Sequence, residues 1–380
     1  MIPYARQSVS EEDIRAVVEV LRSDFLTQGP VVEKFEKAVA GYCGAPFGIA
    51  VNSGTSALHI ACQALGLGPG DWLWTSPNTF VASANCGRYC GANVDFVDID
   101  PGTYNISVEA LKHKLAGAAR TARLPKVLVP VHFAGQPCEM REIWDLAGHY
   151  GFSVVEDASH ALGADYREAK VGGCAYSHAT VLSFHPVKQI TTGEGGMVTT
   201  KDPALAESLL QLRSHGVTRN PQLFRGDPEG AWYYEQLQLG FNFRLTDFQA
   251  ALGASQLQRL DAFVSRRRQL ADRYDERLDG LPIGRPQRSS SGNSSWHLYV
   301  VQVDHRAKVF DMLRASGIRA NVHYIPVHRQ PYYEGLGFRR GDFPHAERYY
   351  DRAITLPLYP GLSDPEQDAV VAALRKAVRA

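Results

Sequence analysis

Lys188 is the residue whose position in the sequence most strongly suggests chemistry. It lies in SFHPVKQITTGEGG (183–196), after the strand pattern of residues 180–182 and before a second strand-like run at 197–200. A lysine amine held between two strands can act as a nucleophile or as a proton carrier. A solvated surface lysine is the alternative, so other residues must decide between the two.

A second group of residues, Asn52-Ser53-Gly54-Thr55-Ser56, joins the strand pattern FGIAV to the helix pattern ALHIACQAL. Small residues with hydroxyls at a helix start offer free backbone N–H groups and the positive end of the helix dipole, which suit a phosphate group. An ordinary serine or threonine helix cap is the alternative. The segment matches neither a G-K-[ST] phosphate loop nor a G-x-G-x-x-G dinucleotide turn.

A pair of acidic residues, Glu156 and Asp157, ends the apolar run Val154-Val155. Open α/β sheets bind their ligands at the carboxyl ends of strands. A carboxylate buried there requires a cationic partner, because an unpaired buried charge is costly. A helix cap or a structural ion pair is the alternative.

The three features together match the three parts of pyridoxal phosphate. This cofactor carries a phosphate, a ring nitrogen that works best when protonated, and an aldehyde that condenses with a lysine amine. A carboxylate about 3–4 Å from the ring nitrogen would favour its protonated form by several kcal/mol at an effective dielectric near 20. We therefore predict that Lys188, Asp157 and the Asn52–Ser56 segment form a pyridoxal phosphate site.

Further residues have possible roles at such a site. Phe80 could stack on the pyridine ring, Ser183 could reach the phosphate, and His160 could reach the phenolic oxygen of the ring. Gly195 and Gly196 would allow the backbone to approach closely. A core aromatic at position 80 and a loop histidine without a ligand at position 160 remain alternatives.

Alternating helix and strand patterns must position these residues. Ser10 is a plausible N-cap of the first helix, and Gly44 closes the second. Strand patterns follow in FGIAV, WLWTSP, VDFVDID, KVLVPVHFAG and FSVVEDASH, separated by the helix patterns TSALHIACQAL, FVASANCGRYCGA and EMREIWDLAGHYG. This alternation predicts an α/β fold over a largely parallel, buried sheet.

The pattern changes near residue 245. TDFQAALGASQLQRLDAFVSRRRQLADRYDERLDGL predicts one long charged helical stretch, followed by a Ser/Gly-rich loop, the strand WHLYVVQV, the helix KVFDMLRASG and a C-terminal helix after Ser363. We predict a large cofactor-binding domain over residues 1–245. Residues 246–380 would form a long linking helix and a smaller C-terminal α/β domain, and residues 216–235 a long surface excursion.

Composition disfavours several other classes of protein. Forty basic and forty acidic residues among 380 cancel, so nucleic acid and anionic membrane are not expected as main partners. No apolar run approaches the roughly 18–20 residues of a membrane span, and no signal-peptide core is visible. The six cysteines show no zinc-site spacing. They predict no metal site and buried thiols in a cytoplasmic protein.

Six motifs carry a resemblance to a known family. They are NSGTSALH, PVHFAGQP, VVEDASHALGA, SFHPVKQITTGEGG, LGFNFRLTDFQAALG and HYIPVHRQPYY. Together they resemble the DegT/StrS-type sugar aminotransferases, a branch of the fold type I pyridoxal phosphate enzymes, roughly from residue 2 to residue 375. The resemblance implies a mostly parallel seven-stranded sheet, and a homodimer whose active sites lie at the subunit interface.

The resemblance also implies roles for particular residues. Lys188 would bind the cofactor covalently, and Asp157 would pair with its ring nitrogen. The phosphate would be held by Gly54, Thr55, Ser56 and Ser183, the ring covered by Phe80, and the phosphate of the partner subunit reached by Asn242. The family often has glutamine at the position of His160. The geometry of the contact with the phenolic oxygen of the ring would therefore differ from that in the family.

The implied reaction moves the amino group of glutamate to a keto group of a nucleotide-linked sugar. Pyridoxamine phosphate carries the amino group between the two, and 2-oxoglutarate is released. IPYARQSVSEEDI, SDFLTQGP and SFHPVK most resemble the pseudaminic acid branch, which aminates C4 of UDP-2-acetamido-2,6-dideoxy-β-L-arabino-hex-4-ulose. The candidate substrate-binding residues are Tyr4, Arg6, Thr27, His185, His215, Arg219, His323 and Tyr324.

The same residues discriminate between this function and its rivals. Sugar dehydratases of this fold have histidine in place of the lysine, so Lys188 disfavours that function. A nucleotide-sugar oxidoreductase is disfavoured by the missing glycine fingerprint. An aminotransferase for the D-xylo epimer or for a GDP- or dTDP-linked ketosugar, and a non-catalytic sensor of pyridoxal phosphate, remain alternatives.

Overall fold

Alternating strands and helices build the first two-thirds of the chain, as the sequence patterns predict. The computed structural model describes residues 1–121 and 123–380. Its α-helices are α1 (Glu11–Leu21), α2 (Pro30–Cys43), α3 (Gly54–Ala64), α4 (Ala82–Tyr89), α5 (Val108–Ala119), α6 (Met140–Tyr150), α7 (Pro203–Arg213), α8 (Asp247–Leu257), α9 (Leu260–Arg277), α10 (Arg306–Ala315), α11 (Pro331–Glu334), α12 (Pro344–Arg352) and α13 (Asp364–Ala377).

The strands of the described residues are mostly short. They are β1 (Ile2–Pro3), β2 (Phe47–Val51), β3 (Trp72–Thr75), β4 (Asn93–Phe96), β5 (Val127–Val129), β6 (Ser153–Asp157), β7 (Asp165–Tyr166), β8 (Ala169–Lys170), β9 (Ala179–Ser183), β10 (Gly196–Thr200), β11 (Val217–Thr218), β12 (Glu235–Gln236), β13 (Gly292–Asn293), β14 (Tyr299–Gln302), β15 (Ile318–Arg319) and β16 (Ala353–Leu356).

Seven strands form the central sheet in the order β2-β10-β9-β6-β5-β3-β4. Only β10 runs antiparallel to its neighbours, so the expected mostly parallel seven-stranded sheet is confirmed. The register places Asp157 beside Val181 and Gly196 beside both Ser183 and Val51. The ends of β2, β6 and β9 therefore meet the start of β10 at one edge of the sheet.

Helices cover both faces of this sheet because alternate strand residues point to opposite sides. Val155 belongs to the apolar core under α3, α4 and α7. Its neighbour Val154 belongs to the core under α5 and α6. Both side chains are fully buried, which fits a sheet whose strands read as continuous apolar runs.

The C-terminal part of the chain has an apolar core of its own. It is formed by α9, α10, α13 and the antiparallel pair β14–β16. Helix α8, in contrast, packs against α1 and α2. The division of the chain at residue 245 stays a prediction.

Several local predictions are confirmed by the capping geometry. Ser10 caps α1 through a reciprocal box with Asp13, and Ser363 caps α13 in the same way with Glu366. Gly44 ends α2 in the left-handed conformation that glycine favours. All six cysteines are free thiols and five of them are buried.

The long helical stretch after residue 245 differs from its prediction. It is divided into α8 and α9 by a turn at Gln258 and Arg259. The guanidinium of Arg259 at this turn forms an ion pair with the fully buried Asp13 of α1. Residues 216–235 form an excursion whose two ends pair as β11 and β12.

Candidate active site

A cavity of about 460 Å³ opens at the edge of the sheet where β2, β6 and β9 end. Its size lies within the range of roughly 300–1,000 Å³ typical of small-molecule sites. The residues predicted for the site that line it are Tyr4, Gly54, Thr55, Phe80, Asp157, His160, Ser183, His185, Lys188, His323 and Tyr324. The strand ends thus bring together groups that lie more than 300 residues apart in sequence.

The N-terminus of α3 forms one end of the cavity. The hydroxyl of Ser53 caps the helix by accepting from the N–H of Ser56, 3.0 Å away. The N–H groups of Gly54 and Thr55 belong to the first turn and have no acceptor within the helix. Both residues line the cavity beside Ser183, so this end suits an anion.

Two glycines allow this end of the cavity to form. A Cβ on Gly196 would lie 2.5 Å from the carbonyl carbon of Ser53, which is closer than atoms can approach. A Cβ on Gly54 would lie 3.1 Å from the Cβ of Ser183 and would fill the space between them. The expectation that Gly196 permits close backbone approach agrees with this geometry.

Asp157 ends β6 and is 5% exposed. One carboxylate oxygen accepts from the hydroxyl of Ser83 at 2.6 Å, and the other accepts from the N–H of Ser159 at 3.1 Å. These two contacts do not neutralise the charge. The carboxylate therefore has capacity for a cationic ligand, because two oxygens offer about four acceptor sites.

Lys188 lies between β9 and β10, in a loop tied down by the N–H of Lys188 donating to the carbonyl of His185 at 2.9 Å. Burial lowers the pKa of Lys188 to about 8, although the nearby charge of Asp157 acts in the opposite direction. A solvated lysine would keep a pKa near 10.4. The lysine thus has the lowered basicity that a nucleophile or proton carrier needs.

A cluster of uncharged polar rings, which includes His160, His323 and Tyr324, lines the same cavity. The Nε2 of His160 lies 3.2 Å from the hydroxyl of Tyr324, and its ring is 4.3 Å from that of His297. Burial holds the pKa of His160 well below its usual value and lowers that of His323 to about 3. These histidines are therefore neutral near pH 7. The Nδ1 of His160 has no hydrogen-bond partner in residues 1–121 and 123–380.

Phe80 presents an apolar ring to the same cavity. Its side chain is 58% exposed, and its ring centroid lies 6.2 Å from that of Tyr324. A core aromatic would be buried, so the alternative considered for this residue is wrong. An exposed ring at a cavity wall suits stacking against a planar ligand.

Six residues predicted for the site do not line this cavity. Ser56 is buried against Ser53, and Arg6 lines a narrow crevice that also reaches Lys188. His215 and Arg219 line a second, open cavity of about 650 Å³. Thr27 adjoins Gln28 of that second cavity, and Asn242 pairs with its Ser214. Their predicted roles stay predictions.

Sequence reasoning gave no individual role to four hydroxyl residues of the site. Ser53, Thr79 and Ser159 line the cavity, and Ser83 donates a hydrogen bond to Asp157. Ser53 and Ser159 stand inside motifs already singled out, so their positions in NSGTS and EDASH were the available signal. Thr79 and Ser83 gave none, because only the fold brings α4 against the end of β6.

No helix within residues 1–121 and 123–380 is long and apolar enough to cross a membrane. In the same part of the chain, no group of three or more His, Cys, Asp or Glu side chains is placed to hold a metal ion.

The donor set of the cavity fits pyridoxal phosphate. Gly54, Thr55 and Ser183 would hold the phosphate, Asp157 would face the ring nitrogen, and Lys188 would react with the aldehyde. The fit rests on a helix N-terminus with free N–H groups, a buried carboxylate without a cationic partner at hydrogen-bond distance, and a lysine of lowered pKa.

Several known proteins are similar to this chain over its whole length. SpsC of Bacillus subtilis, described as a spore coat polysaccharide biosynthesis protein, is 41% identical over 387 residues, covering 100% of this chain and 97% of SpsC. PseC of Helicobacter pylori, an aminotransferase involved in the biosynthesis of pseudoaminic acid, is 31% identical with a TM-score of 0.90, covering 100% of this chain and 99% of PseC.

A third similar structure is Spr1654 of Streptococcus pneumoniae, named as a sugar aminotransferase and solved in its PMP form. It has a TM-score of 0.91 and 29% identity, and the match covers 100% of this chain and 99% of Spr1654. A PLP form of the same protein has a TM-score of 0.90. These likenesses confirm the fold type I architecture. The model of the DegT/DnrJ/EryC1/StrS aminotransferase family matches residues 7–375, and this chain belongs to that family.

Proposed function

We propose that this chain transfers the amino group of glutamate to C4 of UDP-2-acetamido-2,6-dideoxy-β-L-arabino-hex-4-ulose, the reaction of the pseudaminic acid pathway. The main observation in support of an aminotransferase function is that Lys188, Asp157 and the start of α3 line one cavity. The similarity to PseC over the whole chain supports the substrate.

The cofactor is pyridoxal phosphate, in agreement with the family and with the PLP and PMP forms of Spr1654. When bound, it accepts the amino group and withdraws electrons from the carbon that loses a proton. The chain itself supplies a proton carrier. At pH 7, a pKa of about 8 leaves roughly one-tenth of Lys188 as free amine, so Nζ can both take and return a proton near neutrality.

The wall formed by Tyr4, His323 and Tyr324 supports a sugar substrate. These groups are neutral near pH 7, since burial raises the pKa of both tyrosines and lowers that of the histidine. Neutral donors and acceptors suit the hydroxyl and acetamido groups of a sugar ring. The phenol ring of Tyr4 and the guanidinium of Arg6 are our candidates for contacts with the uracil and the pyrophosphate of the nucleotide.

We expect the β-L-arabino ketosugar to be preferred over its α-D-xylo epimer. The two epimers direct the C5 methyl group differently, and a misplaced methyl costs about 1–3 kcal/mol, so the ratio of kcat/KM values should be about 10–200. The measurement is incubation with glutamate and each ketosugar, followed by NMR identification of the amino sugar. A clear preference for a GDP- or dTDP-linked ketosugar would reject this substrate and leave the aminotransferase function standing.

Another UDP-, GDP- or dTDP-linked 4-ketosugar is the second candidate substrate. SpsC, at 41% identity, is more similar in sequence than PseC at 31%, and its description concerns a spore coat polysaccharide. The same NMR experiment separates the two candidates, because each ketosugar yields a different amino sugar.

We also propose a homodimer in which each subunit completes the site of the other. Asn242 is exposed and lies outside the Lys188 cavity, and His215 and Arg219 line the separate open cavity. Arg219 and Arg244 of that cavity form no ion pair among the described residues. Both are available to an anionic ligand held by a second copy.

Co-expression of two inactive variants tests this arrangement. In a heterodimer of Lys188→Ala and Asn242→Ala subunits, a shared site would place both lesions at one site and leave the other intact. Because a dimer of this kind contains two equivalent site positions and only one is intact, we expect about half of the wild-type activity per dimer. Isolation with two different tags provides the heterodimer, and each homodimer is the control. Activity no higher than that of the Asn242→Ala homodimer, or a monomer with full activity, would exclude shared sites.

A further inference from the structure

We propose that Ser83 is a positioning residue that holds the Asp157 carboxylate in the correct orientation for the ring nitrogen of the cofactor. Ser83 lies in the first turn of α4 and is 1% exposed. Its hydroxyl donates to one Asp157 oxygen at 2.6 Å. The inference rests on the role proposed above for Asp157.

A second hydroxyl fixes the direction of this hydrogen bond. The Oγ1 of Thr79 lies 2.7 Å from the Oγ of Ser83. An ionised carboxylate can only accept, so the single proton of Ser83 points to Asp157, and the hydroxyl of Thr79 donates to Ser83. The chain from Thr79 through Ser83 to Asp157 strengthens the last bond, because linked hydrogen bonds polarise one another.

The orientation of Asp157 is not fixed by its backbone alone. The terminal torsion of an aspartate is broad and roughly two-fold, so the carboxylate plane can turn unless something holds it. Ser83 holds one oxygen and the N–H of Ser159 holds the other. Each oxygen keeps a second acceptor site for a ligand, and the plane is set before the ligand arrives.

Ser83 acts through Asp157 and does not itself face the cavity. The neighbouring residues Thr79, Phe80 and Ala82 line the cavity, whereas Ser83 does not. One short segment at the start of α4 thus supplies both a wall of the site and the support for its carboxylate. Removing the hydroxyl should affect cofactor binding without removing a ligand contact.

The test measures the affinity of the apoenzyme for pyridoxal phosphate by absorbance titration. We expect Ser83→Ala to weaken it about tenfold, which corresponds to about 1.4 kcal/mol and suits the loss of a hydrogen bond to a charge. Ser83→Thr retains the hydroxyl and should restore most of the affinity. Ser76→Ala is the matched control, because Ser76 is equally buried but contacts the N–H of Asn78.

A double-mutant cycle with Asp157→Asn decides whether Ser83 acts through Asp157. We expect Ser83→Ala to change the affinity less than twofold in the Asp157→Asn background. The same tenfold loss in both backgrounds, or unchanged affinity of Ser83→Ala alone, would overturn the inference. If Asp157→Asn alone binds the cofactor and turns over like the wild type, the role proposed for Asp157 fails instead, and the two failures are distinguishable.

Discussion

Replacing Lys188 with alanine is expected to lower turnover by roughly 10⁴-fold, because one residue supplies both the covalent attachment and the proton carrier. The fold should be retained, since Lys188 lies in a loop whose backbone hydrogen bonds do not involve its side chain. The variant should still bind pyridoxamine phosphate, which needs the phosphate end and Asp157 but no lysine. Turnover with glutamate, together with binding of pyridoxamine phosphate, is the measurement.

The attachment itself can be located chemically. Borohydride reduction of the wild-type holoenzyme followed by peptide mapping should find the pyridoxyl group on Lys188. Lys170→Ala is the matched control, because Lys170 is an exposed lysine that lies outside the cavity. The activity of the Lys170→Ala variant should equal that of the wild type. A pyridoxyl group on any other lysine would refute the assignment.

The lowered pKa gives the same lysine a characteristic pH dependence. Only the free amine reacts with an aldehyde, so uptake of pyridoxal phosphate by the apoenzyme should accelerate as the pH rises through about 8 and then level off. An inflection near 10.4, the value of a solvated lysine, would show that burial does not tune this residue.

The sequence was sufficient for the sheet and for most of the cavity. Apolar runs such as those ending at Asp157 and Ser183 predict buried strands, and parallel strands must place their carboxyl ends at one edge. Lys188 and the Asn52–Ser56 segment each follow a strand pattern, so their position at the same edge as Asp157 could be predicted. The strand order that places β10 and β9 between β2 and β6, and so brings these groups together, could not.

Other features depend on contacts between distant residues and could not be predicted. No glycine or proline marks the turn between α8 and α9, where Arg259 reaches Asp13 of the first helix. Ser83 is an unremarkable serine in sequence until α4 packs beside β6. The second cavity, with His215 and Arg219, likewise requires an excursion of the chain to return on itself through the pairing of β11 with β12.

Replacing Asp157 with asparagine is expected to lower kcat by about 10²-fold or more, which corresponds to at least about 2.7 kcal/mol of transition-state stabilisation. Asparagine keeps the shape of the side chain and can still accept from Ser83, but it removes the negative charge. Without that charge the ring nitrogen is no longer held protonated, and the cofactor withdraws electrons less strongly. Steady-state kinetics with glutamate and the ketosugar provide the measurement.

The expected split between binding and turnover distinguishes this electrostatic role from a structural one. The phosphate end and Lys188 remain intact in Asp157→Asn, so the variant should still bind the cofactor, with lower affinity, and at saturating cofactor the chemical step should still be slow. Asp145→Asn is the matched control. Asp145 is an exposed carboxylate on α6 that is paired with Arg141, and it does not line the cavity. Near-wild-type turnover of Asp157→Asn would mean that Asp157 only stabilises the end of β6. A slow variant that has also lost its unfolding cooperativity would point to the same structural role, whereas a slow, fully folded holoenzyme can be explained only by the missing charge.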